Sequence, residues 1–350
     1  MAEKRPNEGS PDSSAQQIVA AKRQRTEQGG QLVTKDNVKR TSTLLAPTMQ
    51  LTGHQGEVYS TEFSPDGQNI ASSSFDKHVL LWHITGNCEN YALIKGHQNA
   101  VLEVHWLPSG EQLVSCSADR TVRGWDALTG EQIKKYKEHT AVVNSCFPLR
   151  RGSPLLASGS DDCTCKIWDF RTKRSVSTLR EKFQVTAVTF SEAGNQVYTG
   201  SIDNSIKVWD LRKEGLLATH KGHTDSVTGI ALSPDGSHLL SNAMDNTLRV
   251  WDMRPYAPSA NRCVKMLVGH IHNFEKQLLR CCWSADGKQV AAGSADRMVN
   301  IWEVSSGPGR LQYKLPGHAG SVNDCAFHPS QPIIASASSD KTLYLGELMQ

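Results

Sequence analysis

The chain has 350 residues, 38% of them hydrophobic, and a formal charge of +3 set by 38 Lys and Arg against 35 Asp and Glu. No stretch of 18 apolar residues occurs, and no basic start leads into an apolar segment and a small-residue cleavage site. This excludes a membrane span and a secretory leader, and a soluble intracellular protein is expected. The nine cysteines include no Cys-x-x-Cys pair, which argues against a zinc site or redox dithiol and fits a reducing compartment.

Residues 1–43 are rich in Gln, Ser, Lys, Glu and Gly and hold few large apolar side chains, so they are expected to form a disordered basic tail. Eight of the 38 basic residues and five of the 35 acidic ones fall in residues 1–50, leaving 30 of each in the remainder. The globular part is therefore neutral, with no global attraction to a phosphate backbone. Within the tail, Lys22, Arg23 and Arg25 form a short basic cluster, which reads either as a nuclear-import signal or as ordinary solvated charge.

Beyond the tail a repeat of about forty residues governs the chain. Trp recurs at Trp82, Trp125, Trp168, Trp209, Trp251 and Trp302, and Gly346 stands where a seventh copy would place it. Six residues before each of these lies an Asp: Asp76, Asp119, Asp162, Asp203, Asp245, Asp296 and Asp340. Four residues before that Asp stands Ser72, Ser115, Ser158, Thr199, Ser241 or Ser336, with Ala292 the exception. Most copies start on a His, namely His54, His97, His139, His223, His270 and His318. Between these markers run short alternating segments rich in Val, Ile, Leu and Ser, broken by turns such as Ser64-Pro-Asp-Gly67. Four strands per copy make one blade, so residues 44–350 are expected to form an all-β, seven-bladed propeller.

The last copy stops at Gln350, directly after its third strand, and would expose a pairing edge. Residues 47–52 occupy the outer-strand position just before His54. They are expected to complete the last blade and close the ring.

The Gly-His starts and the Trp-Asp ends at Trp125, Trp168, Trp209 and Trp251 resemble the WD40 family. The resemblance implies a blade network in which the Asp accepts a hydrogen bond from the His, the His contacts the Ser, and the Ser contacts the Trp indole. Here those sets are His54, Ser72, Asp76 and Trp82; His97, Ser115, Asp119 and Trp125; His139, Ser158, Asp162 and Trp168; and His223, Ser241, Asp245 and Trp251. Blade 4 carries Glu181 in place of the His, blade 6 has Ala292 and a longer lead-in from His270 to Leu278, and blade 7 lacks the Trp. These three are expected to be the least rigid.

Nothing in the chain reads as catalytic. Six of the thirteen histidines are repeat histidines, and the remaining near-ligand spacings, His220 with His223 and His272 with Glu275, lack an obvious third ligand. No phosphate-binding glycine loop or nucleophile elbow is present. No enzyme activity, cofactor, metal or small-molecule substrate is expected.

Function must then come from the surface made by loops. Propeller geometry in the family implies that three positions per blade share one exposed face, and here they include Tyr59, Phe75, Leu102, Val142, Ile202, Met244 and Leu279 but no Lys or Arg. Such a face suits protein rather than RNA, which would be contacted only indirectly.

Two further likenesses separate the candidates. Segments 240–247, 249–258, 272–280, 291–297 and 313–320 resemble WD-repeat subunits of the spliceosome. That resemblance implies a nuclear, non-catalytic scaffold in pre-mRNA splicing, with spliceosomal partners such as the large U5 core protein, the U5 RNA helicase and the U5 GTPase. The endings Trp168-Asp-Phe-Arg171, Trp209-Asp-Leu-Arg212 and Trp251-Asp-Met-Arg254 resemble the docking box of cullin–RING ubiquitin-ligase receptors, the alternative reading.

Overall fold

The alternating β-branched segments between turns become strands, and each set of four pairs with itself. In blade 1, Val58–Phe63, Asn69–Ser74, Val79–His83 and Asn90–Ile94 pair antiparallel in that order. The computed structural model describes residues 42–256, 261–273, 275 and 277–348. The basic cluster Lys22, Arg23 and Arg25 lies outside them. Among the described residues, seven four-stranded antiparallel sheets form a seven-bladed β-propeller, all of it within residues 43–350.

The first strand of each blade is the innermost. Val58–Phe63, Val101–Trp106, Val143–Pro148, Val185–Phe190, Val227–Leu232, Cys281–Trp283 and Val322–Phe327 each neighbour the next, and the last lies beside the first. The ring is closed by strand Thr48–Thr52, which pairs antiparallel with Thr342–Glu347 and sets Leu51 opposite Leu343. Leu44 and Leu51 are buried in one cluster with Ile333 and Leu343, a gain of about 1.5–3 kcal/mol for each side chain. The Thr43 N–H and hydroxyl both donate to Gln331 Oε1 at 3.0 Å. Both ends of the propeller sequence thus build the seventh sheet, and its third strand gains a partner.

The apolar clusters sit between sheets rather than within them. Ala71, Val79 and Leu81 of blade 1, for example, pack on Val101, Val104 and Trp125 of blade 2.

Two turns recur. In Ser64-Pro-Asp-Gly67 the Gly67 N–H donates to Ser64 O at 2.9 Å, and φ of +72° at Gly67 suits glycine. The turn between second and third strands is stranger. In all seven blades the residue after the repeat Asp is left-handed and not glycine: Lys77, Arg120, Cys163, Asn204, Asn246, Arg297 and Lys341, with φ from 61 to 72°. Such a conformation costs about 1–2 kcal/mol for an ordinary side chain. The Asp carboxylate offsets it by accepting the N–H two residues on, as from His78 to Asp76 and from Thr121 to Asp119, both at 3.0 Å.

Candidate protein-binding face

The repeat side chains meet as a relay inside each regular blade. The Trp82 indole N–H donates to Ser72 Oγ at 2.9 Å, so the hydroxyl is left to donate to His54 Nε2 at 2.8 Å. His54 Nδ1–H then donates to Asp76 Oδ2 at 2.8 Å. The same chain runs through Trp125, Ser115, His97 and Asp119; through Trp168, Ser158, His139 and Asp162; and through Trp251, Ser241, His223 and Asp245. Burial pushes the Asp76 carboxyl up, but the bonds from His54, Gln55 and His78 outweigh it and hold it at about 2. Burial pulls His97 and His318 below the ordinary histidine value against the opposing pull of Asp119 and Asp340.

Three blades replace parts of the relay. In blade 4 Glu181 stands at the histidine position, accepts the Thr199 hydroxyl and pairs with Lys207 Nζ at 2.6 Å, while Lys207 also reaches Asp203 at 2.7 Å. Blade 7 keeps His318, Ser336 and Asp340, and the Tyr344 ring meets His318 edge-on at 4.6 Å above the gap left at Gly346. Blade 6 loses the relay altogether. Without a hydroxyl at Ala292, Trp302 donates to Val268 O at 3.0 Å and His270 turns to Asn242 Oδ1 of blade 5 at 2.8 Å. Burial drives His270 down to about 3.

Of the seven apolar residues expected on one face, Phe75 and Ile202 are exposed, at 57% and 39%, while Tyr59, Leu102, Val142 and Met244 are half-buried. Burial and then the neighbouring Glu57 carboxylate push the Tyr59 phenol up to about 12, so it stays a neutral donor. Leu279 must be removed from the face. It is only 1% exposed, and its carbonyl accepts the Thr228 hydroxyl at 2.9 Å and the Asn242 amide at 3.1 Å. The long lead-in of blade 6 shifts the residue count, so this side chain enters the core.

A separate correction concerns four other blades, in which the fifth residue after the repeat-histidine position faces a neighbouring blade. Asn144 donates to Val185 O at 2.9 Å, Thr186 to Val227 O, Thr228 to Leu279 O, and Asn323 to Val58 O at 2.7 Å. These buried polar side chains staple blades 3 to 4, 4 to 5, 5 to 6 and 7 to 1. Polar residues at four of seven equivalent positions were the available signal.

The sixth residue after the repeat-histidine position, which is Glu181 in blade 4, lines the channel in six blades, as Ser60, Glu103, Ser145, Ala187, Gly229 and Asp324, and in blade 6, after its longer lead-in, the place is taken by Arg280, ten residues after His270. Arg280 spans the channel. Its guanidinium donates to Thr186 O and Thr228 O at 3.2 Å and to Asn144 O at 2.6 Å, and lies 3.6 Å from Glu103 Oε1. One side chain of blade 6 therefore touches blades 2, 3, 4 and 5. Burial raises the Glu103 carboxyl, yet Arg280 and His105 outweigh it and hold it at about 2.

Two other arrangements have alternative chemistry to offer. In the Trp-Asp-x-Arg endings, Arg171 folds back on Asp169 at 2.7 Å and Arg254 on Asp252 at 2.6 Å, so two of the three guanidinium groups already hold a carboxylate. Among the described residues, Glu103, Cys116 and Cys146 bring metal-ligating atoms together. There Glu103 accepts the Cys146 N–H at 2.7 Å and burial pushes the Cys146 thiol well up, so the set acts as a polar joint between blades 2 and 3.

The model of the WD domain, G-beta repeat, matches seven times, at residues 45–83, 88–126, 130–169, 173–210, 214–252, 261–303 and 309–345. The chain is 57% identical over 309 residues to the human U5 small nuclear ribonucleoprotein 40 kDa protein, covering 88% of this chain and 86% of that one. It is 50% identical over 311 residues to the Dictyostelium discoideum protein of the same name, covering 89% and 87%. To the pre-mRNA-splicing factor cwf17 of Schizosaccharomyces pombe it is 44% identical over 322 residues, covering 92% and 94%.

Proposed function

The chain belongs to the WD40 family, and we propose that it is a non-enzymatic protein-interaction scaffold of the U5 small nuclear ribonucleoprotein in pre-mRNA splicing. The observation that carries this reading is 57% identity across 88% of the chain to a relative named as a U5 subunit, joined by a named splicing factor at 44%. A scaffold fits the side chains. The His, Ser, Asp and Trp groups that could have suggested catalysis are bonded to one another inside blades. The exposed face offers Phe75 and Ile202 with half-buried Tyr59, Leu102, Val142 and Met244, a surface of interface type.

The partners are other spliceosomal proteins, namely the large U5 core protein, the U5 RNA helicase and the U5 GTPase, and the place is the nucleus. The equal counts of acids and bases outside residues 1–50 favour contact with RNA only through those proteins. Capture with the tagged full chain from nuclear extract tests the reading: U5 proteins should be recovered at moderate salt, with recovery reduced by a Tyr59→Ala/Phe75→Ala double variant that melts like the wild type. Recovery of a cullin adaptor without U5 proteins overturns the scaffold, and undiminished capture by the double variant overturns the face.

A further inference from the structure

Two residues before the repeat Trp, blades 2 to 5 each carry a cation: Arg123, Lys166, Lys207 and Arg249. Three of the four hold a carboxylate. Arg123 lies 3.3 Å from Asp119, Lys166 3.5 Å from Glu138, and Lys207 2.6 Å from Glu181 and 2.7 Å from Asp203. Arg249 pairs with none among the described residues. Its Nη1 reaches only the Cys263 sulfur, a weak acceptor, at 3.9 Å, and its Nε–H is buried without a hydrogen-bond partner. Blade 2 shows what the place can hold, since Arg123 also donates to Thr121 Oγ1 at 3.3 Å and to Gln132 Oε1 at 2.8 Å. Gln132 opposes Trp125 as Cys263 opposes Trp251, so blade 5 has a thiol where blade 2 has an amide oxygen. Asp245, four residues before Arg249, is already occupied by His223, the Thr224 N–H and both the N–H and the hydroxyl of Thr247.

The half-buried Arg249 lies on the face of blade 5 that meets blade 4, where Trp251 packs with Ile206 and Val208 and the His220 ring stacks on the indole at 5.8 Å. Met266 opposes Arg249 and Val268 opposes Thr247, so both share that face. They are exposed, at 56% and 60%, and with Val264 they give Cys263–Val268 more exposed large apolar side chains than any other strand among the described residues. Burial and then Arg262 pull the His220 imidazole down, so the neighbouring charge is positive as well. A guanidinium without an anion, beside an uncovered apolar strip, calls for a carboxylate on a chain with apolar side chains rather than for a phosphate backbone.

We propose that the rim between the outer strands of blades 4 and 5 docks a partner polypeptide through an Asp or Glu side chain set on Arg249, with an adjoining apolar side chain of the partner on Met266 and Val268. The carboxylate matches the guanidinium fork, and the apolar cover keeps water from the pair and strengthens it. This contact is independent of the Phe75 face, and either can fail without the other.

The test uses the full chain with methyl-labelled methionine, the Met266 signal being assigned with Met266→Leu. The probes are acetyl-Thr-Leu-Glu-Leu-Thr-amide, the same peptide with Gln for Glu, and a uridine dodecamer. The Glu peptide should shift the Met266 methyl saturably, and the Gln peptide should bind about tenfold or more weakly. Arg249→Gln should reduce binding of the Glu peptide to the level of the Gln peptide. Val268→Asp, a change at an exposed side chain that sets a carboxylate on the same face, should also abolish the shift and stands in for Arg249→Gln if melting curves show that variant unfolded. No shift at millimolar peptide, an equal response to the Gln peptide, or unchanged binding in the variants overturns the proposal. So does a shift produced by the RNA in place of the peptide, or one produced by concentrating the chain alone, with a dimer in sedimentation.

Discussion

Replacing Arg280 by Met keeps most of the side-chain volume and removes the guanidinium from the channel. Three carbonyl oxygens, on Asn144, Thr186 and Thr228, then lose their donor, and Glu103 loses a cation 3.6 Å away. Arg280 is 6% exposed, so little water can replace it. Bonds to a charged donor contribute about 1.5–3 kcal/mol each, and breaking a buried pair by removing one partner costs about 3–5 kcal/mol overall. We expect a loss of about 3–5 kcal/mol in urea denaturation. A Glu103→Gln change in the Arg280→Met background should cost less than it does alone, with a coupling of about 1–3 kcal/mol. The acid side should move too. Glu103 titrates in the folded state at about 2, below the ordinary Glu range, so its contribution is present above that range and fades as pH falls toward 2. Without Arg280 the fading should begin at higher pH. A loss below about 1 kcal/mol, or strictly additive single changes, would refute the view that Arg280 ties the blades together.

Ser115→Ala strips both the acceptor of the Trp125 indole and the donor to His97, and should cost about 2–4 kcal/mol in chemical denaturation, whereas Ala292→Ser in blade 6 should bring no gain because His270 and Trp302 already bond elsewhere. Gly229→Ala places a Cβ 3.1 Å from both Arg280 Cα and Leu279 O, and a backbone shift costing about 1–3 kcal/mol should lower the melting temperature. Deleting residues 44–52 removes Leu44 and Leu51 from the core and bares the Thr342–Glu347 edge, so size-exclusion chromatography should show aggregates; a monomer with an unchanged melting temperature would sink the closure argument. His270 titrates near 3 in the folded protein and near 6.5 when unfolded, so its contribution is complete above 6.5 and is lost as pH falls, by about 1.4 kcal/mol per pH unit between those values. His270→Gln should flatten the stability profile between pH 6 and 4, and parallel profiles would contradict this.

The blades were legible because their polar relay is tied to the chain at fixed intervals. Ser72 and Trp82 on adjacent strands, Asp76 in the turn between them and His54 ahead of the first strand must stand at set distances for the bonds to form, and the same distances recur in blades 2 and 5 and, one residue longer from the histidine, in blade 3. Blade 4 was legible as a departure but not as a solution, since Glu181 at the histidine position gives no hint that Lys207 both pairs with it and supplies the donor to Asp203 that a histidine provides elsewhere. Contacts between blades obey no such interval. Asn144, Thr186, Thr228 and Asn323 look like surface residues in their own repeats and become staples only when the next blade is set beside them. Leu279 failed for a related reason, because a longer loop changes which residue in a strand faces inward.

Blade 6 draws these threads together. Its approach to the first strand is long, its strand Cys281–Trp283 is only three residues, and its relay is absent. Each departure accompanies the entry of Arg280 into the channel. Beside it the ring offers Gly229 and Ala187, the two smallest side chains it holds, and a Cβ at Gly229 would stand only 3.1 Å from the Arg280 backbone. On the other side Glu103 and Asp324 supply opposite charge. A buried cation on one blade is tolerable only when several others furnish carbonyls and carboxylates around it. Blade 6 gives up bonds within itself, and Arg280 replaces them with bonds to four other blades. The irregular blade is therefore the one that joins the ring across its axis.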